Sequence, residues 1–219
     1  MAAIGWHRPA RTLAAGQAAL VAASVVACAA LGITVRWTTA ATPMAVVLVG
    51  LLLATAFARR AQASASPLRW MIPEGLLVFA LVVSLCVFSL PAQYAGAALA
   101  RPTIDGWLAA ADAAMGVHVP TLAAWTRGHP SLAHALAVAY DSFGLQLLVA
   151  APVLVLLGHR EHLWEFAWHV HVCLVITLAC FALFPAACAF NHYGFESTLP
   201  QDAFTAHFYG FRAGTLATP

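Results

Sequence analysis

Apolar positions along the chain fall into five long runs separated by short polar stretches: Leu13–Val35, Thr38–Ala58, Pro73–Ala97, Leu132–Gly158 and Leu163–Phe184. Each meets or approaches the roughly 20 residues that a helix needs to cross the hydrocarbon of a bilayer. None alternates apolar and polar residues over about ten positions, as a membrane β-strand must. Backbone groups inside lipid have to be satisfied within their own segment, so the runs predict an all-α integral membrane helical bundle of about five transmembrane helices. Trp6, Trp37, Trp70 and Trp164 fall near the run ends, where indole rings prefer to lie. The first run follows His7, Arg8 and Arg11 but exceeds the core of a signal peptide, and it reads as a membrane anchor.

The stretch between the third and fourth runs has a different rhythm. Arg101-Pro102 stops one helix, and DGWLAAADAAMG (Asp105–Gly116) predicts a short amphipathic helix with Asp105 and Asp112 on its polar face. Pro120 opens a second short helix, which Gly128-His129-Pro130 ends. These are expected to be interfacial helices capping the bundle. The chain thus divides into three N-terminal spans (residues 1–100) and a region (101–219) with the interfacial helices, two further spans and a tail. With the N-terminus in the cytoplasm, Arg8, Arg11, Arg59, Arg60, Arg69 and Arg160 fall inside, and Arg36, Arg101, Arg127 and Arg212 outside. That bias places the protein in the inner (plasma) membrane with an extracytoplasmic C-terminal tail.

Composition sharpens the class. Of 219 residues 63% are hydrophobic and only 8% charged, against about 25% charged in an average soluble domain. A water-soluble enzyme, a disulfide scaffold and a disordered chain are excluded. The lipid bilayer is the expected partner, and a net charge of +2 gives no footprint for nucleic acid. Cys28, Cys86, Cys173, Cys180 and Cys188 lie in or beside apolar runs without CxxC spacing, and read as small apolar residues.

Ionisable residues in spans are costly, so each invites a functional question. Asp141 lies within the fourth run, with Gln146 five residues on. It suits orienting a catalytic group, binding a cation or proton, pairing with an arginine, or a structural hydrogen bond. His162, Glu165 and His169 share one stripe of the fifth run, with His171 on the other side. A metal site would draw ligands from more than one helix, so neither a metal nor any other cofactor is expected. Arg101, Arg127 and Arg212 stand on the outer side, and arginine's planar fork suits phosphate. No GxSxG, HExxH, Walker or dinucleotide-binding motif occurs.

RPTIDGWLAAADAAMGVHVPTLAAW (Arg101–Trp125), LAVAYDSFGLQLLV (Leu136–Val149), GHREHLWEF (Gly158–Phe166), ITLACFALFPAACAF (Ile176–Phe190) and YGFRAGTL (Tyr209–Leu216) together resemble one group. It is the phosphatidic acid phosphatase type 2 (PAP2) superfamily, in the bacterial branch similar to fungal inositol phosphorylceramide synthase. The resemblance implies hydrolysis or transfer of a phosphate-linked lipid headgroup through a phosphohistidine, with an aspartate holding the imidazole and a second histidine protonating the leaving alkoxide. Those family residues sit in FPSxH-like and HYxxD-like motifs. Neither motif occurs in this chain, which stops at Pro219, where the resemblance implies the catalytic segment would begin. His192-Tyr193 runs on to Gly194-Phe195-Glu196 and does not fit the second motif.

The family's Lys-x6-Arg-Pro phosphate motif is matched by Arg101-Pro102, with Tyr94 where the lysine would stand. The resemblance therefore implies no catalytic residue here and phosphate binding at Arg101; the expected substrate-binding set at the outer face is Arg101, Arg212 and Asp141, with the arginines on the lipid phosphate and Asp141 holding an arginine or a catalytic histidine in place. This chain is expected to be a truncated, inactive member. The alternative from the residues is a non-enzymatic membrane protein, either a packing partner or a small transporter using Asp141 and the histidine stripe.

Overall fold

The computed structural model describes residues 8–34, 41–61, 68–195 and 199–216, which form ten helices with no strand among them. Trp6, His7, Arg36 and Trp37 lie outside the described residues. Four helical stretches are long and apolar enough to cross a membrane: Ala10–Ala30, Trp70–Ala98, Pro130–Leu156 and Arg160–Leu183. The second run forms α2 (Ala41–Ala61), whose described apolar stretch is the shorter Ala45–Ala54.

Helix α1 (Arg8–Ala30) is shifted towards the N-terminus relative to its run, so Arg8 and Arg11 lie within the helix. Its end is fixed by Gly32, which takes a left-handed φ of 71°, letting the Ile33 N–H reach the Cys28 carbonyl at 2.8 Å. The third run is two helices, α3 (Leu68–Phe88) and α4 (Leu90–Ala98), meeting at Ser89. Pro91 causes the break, because its ring lacks an N–H and clashes with the preceding turn. Pro91's own carbonyl accepts the Cys28 thiol of α1 at 3.2 Å.

The two short helices form where the sequence predicts them: α5 (Asp105–Ala114) and α6 (Val119–Arg127). Helix α7 (Pro130–Leu156) and α8 (Arg160–Leu183) follow, joined by a tight turn with Gly158 at φ 73°. The tail, read from sequence as merely polar and aromatic, is helical. It makes α9 (Ala189–Tyr193) and α10 (Leu199–Arg212), and α10 folds back onto α4.

Two apolar clusters hold the bundle, one at each end. At the first, Leu13, Ala54, Val78, Leu81, Leu163 and Ala167 pack where α1 begins, α2 ends and α8 begins. At the second, Cys28, Ile33, Ala95, Ala187, Phe208 and Phe211 pack where α1 and α4 end and α10 returns. Helix α3 is central, packing on α2, α7 and α8. Helix α7 is peripheral, and Ala151 is its one buried residue. It approaches α3 at Gly75, where an added Cβ would lie 2.6 Å from Val155 Cγ2. Small residues allow such close approach between membrane helices. Gly75→Ala is expected to lower the unfolding midpoint in detergent by overpacking, at about 1–3 kcal/mol. Val155→Ala in the same chain should restore most of that loss, and an uncoupled pair of effects would show that the contact is absent.

Candidate functional site

Connectivity puts the ends of α1, α4 and α8, the α5–α6 pair and α9–α10 at one end of the bundle. Helix α4 stops there through Ala100, which takes a left-handed φ of 50° just before Arg101-Pro102. Arg212, the last residue of α10, returns to this point across 111 positions of sequence: its Nη2 donates to the Arg101 carbonyl at 2.6 Å. The guanidinium lies over the Phe208 ring, 5.1 Å from its centroid. Its Nη1 is buried and has no acceptor among the described residues. Beside it opens a cavity of about 330 Å³ lined by Leu31, Gly32, Ile33, Ala98, Arg212 and Leu216. The Arg101 side chain is exposed. The two arginines expected to share a site are thus neighbours, joined through side chain and backbone.

Asp105 has a different task from the one its spacing suggested. It does not simply line a polar helix face. One carboxylate oxygen accepts the Ala187 N–H at 2.9 Å and the Cys188 N–H at 3.2 Å, and the other accepts Ala187 at 3.1 Å. The Ile104 N–H also donates to the Pro185 carbonyl at 2.9 Å. The start of α5 therefore clamps the segment leaving α8. Cys188 sits there at φ 103°, a region that only glycine enters freely. Partial burial, and then the nearby Asp105 charge, push the Cys188 thiol pKa up.

Asp141 stays apart from this assembly. It is exposed on α7 and makes no hydrogen bond or ion pair among the described residues, so the structure does not join it to Arg101 or Arg212. Gln146, one turn on from Ser142, donates to the Ser142 hydroxyl at 2.7 Å. Asp141→Asn is therefore expected to leave the unfolding midpoint unchanged, and a clear fall would reveal a hidden partner. Along α8, His162, Glu165 and His169 are exposed, while His171 is buried, as their spacing requires. His169 turns its Nδ1 to the Glu165 carbonyl at 2.7 Å. Among the described residues no three histidines, cysteines or acids gather closely enough to hold a metal ion.

The best-connected charge was not singled out by the sequence pattern. Glu74, near the start of α3, binds Arg160 of α8 through both carboxylate oxygens and accepts the Trp164 Nε1–H at 2.9 Å. Arg160 also lies 5.8 Å from the Trp70 ring centroid. This network belongs to the end of the bundle opposite Arg101 and Arg212. Its partners are 86 and 90 positions away from Glu74, and no local spacing could disclose them.

Comparison with known families matches residues 106–218, just over half of the chain, to the PAP2 superfamily. No curated protein and no solved structure matches the chain. The matched region contains Asp141 and Arg212 and begins five residues after Arg101.

Proposed function

The chain belongs to the PAP2 superfamily, a membership that carries lipid-phosphatase-like function in general, and on that premise we propose that Arg101 and Arg212 hold a lipid's phosphate-linked headgroup at the outer membrane face. The observation that carries this reading is the Arg212 guanidinium at the end of α4, beside the 330 Å³ cavity and against the Arg101 backbone. Two guanidinium groups at a membrane interface match a phosphate in charge and in donor geometry. Asp141 stands apart from the two arginines and carries no part of this reading. In the finer form of the proposal the headgroup held is that of the inositol phosphorylceramide synthase branch, whose members transfer or hydrolyse it through a phosphohistidine that this chain's residues do not supply.

None of the chain's histidines lies in an FPSxH-like or HYxxD-like setting. The reading therefore assigns this chain substrate holding and no chemical step. In nanodiscs it should bind phosphatidic acid without releasing phosphate. Arg101→Ala and Arg212→Ala should each weaken binding about fivefold, the equivalent of roughly 1 kcal/mol per interfacial arginine. Undiminished binding by the double variant would overturn the assignment. The orientation is tested separately. A single cysteine placed at Asp202 should react with an impermeant maleimide only from the extracytoplasmic side, and labelling from the cytoplasm would reverse the topology.

A further inference from the structure

A second cavity opens at the same end of the bundle, away from Arg101 and Arg212. It has a volume of about 430 Å³, within the range of small-molecule sites. Its walls come from α6, from the segment around α9 and from the start of α10: Val119, Leu122, Ala123 and Arg127 on one side, Phe190, Phe195 and Gln201 on the other. Arg127 lies 5.6 Å from the Phe195 ring centroid, and its Nε donates to the Ala123 carbonyl at 3.4 Å. Its two terminal nitrogens have no acceptor among the described residues. The cavity is therefore an apolar trough with a cation at its rim.

Connectivity decides what reaches it. Helices α5 and α6 join a span that ends at Ala98 to a span that begins at Pro130, so they lie at the membrane surface. Their outward side chains are apolar and aromatic: Trp107 is 84% exposed, Met115 71%, Leu122 53% and Trp125 52%. Such a face is stable when sunk into the headgroup and acyl boundary, where indole rings concentrate. Leu122 belongs both to that face and to the cavity wall, so the trough meets the lipid phase.

We propose that the trough between α6 and α9 is a binding site for one anionic phospholipid, its phosphate on Arg127 and the start of its acyl chain along Val119, Leu122 and Phe190. The site does not depend on the Arg101–Arg212 reading, because it shares no lining residue with that cavity. The ligand chemistry follows from charge: an acyl chain alone would leave the guanidinium rim unmatched, and a free phosphate would leave the apolar walls wet.

The test uses the whole chain in phosphatidylcholine nanodiscs doped with a photoactivatable phosphatidic acid carrying its diazirine near the headgroup, with labelled peptides mapped by mass spectrometry. Labelling is expected at 119–127 and 190–195, and Arg127→Ala should lower it roughly fivefold. Ala123→Phe, which fills the trough and keeps Arg127, should lower it as well, and Arg127→Lys should retain most of it. Helix content and elution volume matched to the parent chain qualify each variant. Equal labelling by a zwitterionic phosphatidylcholine probe would reduce the trough to ordinary lipid-facing surface and overturn the proposal. So would labelling indifferent to both Arg127→Ala and Ala123→Phe, or competition by inorganic phosphate alone.

Discussion

Glu74→Ala is expected to destabilise the bundle by about 2–3 kcal/mol, the low side of the roughly 3–5 kcal/mol seen when one partner of a buried ion pair is removed. The discount follows from position: the Arg160 side chain keeps 39% of its exposure, the Glu74 side chain only 12%. Removing the acid strands a guanidinium bound through two nitrogens and leaves the Trp164 indole N–H without its acceptor. Arg160→Ala should cost a similar amount, because it leaves the more deeply buried Glu74 carboxylate without its counter-charge although Trp164 still donates to it. Replacing Glu74 and Arg160 together by Met should recover much of the loss, since a pair of apolar side chains leaves no buried charge behind. Unfolding midpoints of the three variants in one detergent provide the measurement. If Glu74→Ala unfolds at the same midpoint as the parent, the network contributes nothing to α3–α8 docking.

Asp105→Ala should act at the other end, at about 2 kcal/mol, the scale of backbone N–H groups losing a charged acceptor. The loss frees Ala187, which is 2% exposed within the cluster that also buries Phe208 and Phe211. The variant should therefore gain protease cuts between 185 and 195 before the rest of the chain is touched. Asp105→Asn gives a second readout. The Asp105 charge raises the Cys188 thiol pKa, so removing that charge lowers it and increases the thiolate fraction just below the parent pKa. In a chain retaining only Cys188, alkylation at mildly alkaline pH should quicken. An unchanged rate and unchanged proteolysis would show that Asp105 does not hold this segment.

The spans were legible because apolar runs of membrane length admit only one kind of backbone solution. The α5–α6 pair was legible too, through Pro120 and the Gly128-His129-Pro130 stop. Helix α10 was missed although Phe204, Phe208 and Phe211 follow helical spacing, because polar residues between them hid the period. Glu74 stands second in the run that begins at Pro73, and its partners Arg160 and Trp164 lie 86 and 90 positions on, so no local pattern marks it. Of the candidate site, the nearness of Arg212 to Arg101 depends on α10 folding back, which no local pattern encodes. The isolation of Asp141 has the same origin: burial of α7 is a property of its neighbours, not of its own sequence.

That one-sided burial makes α7 a lever. The bundle grips it near Ala151 and Val155, and its far end carries α6, and with it Arg127. A helix of 27 residues is about 40 Å long at 1.5 Å per residue, so turning it by about 5° about its gripped end moves the other end by about 3 Å. The opening between α6 and α9 is thereby geared to the inclination of α7, and membrane helices change inclination to match the thickness of the lipid around them. A thinner membrane, by leaning α7 further over, would shift the α6 wall of the Arg127 trough more than the gripped end beside Ala151 and Val155.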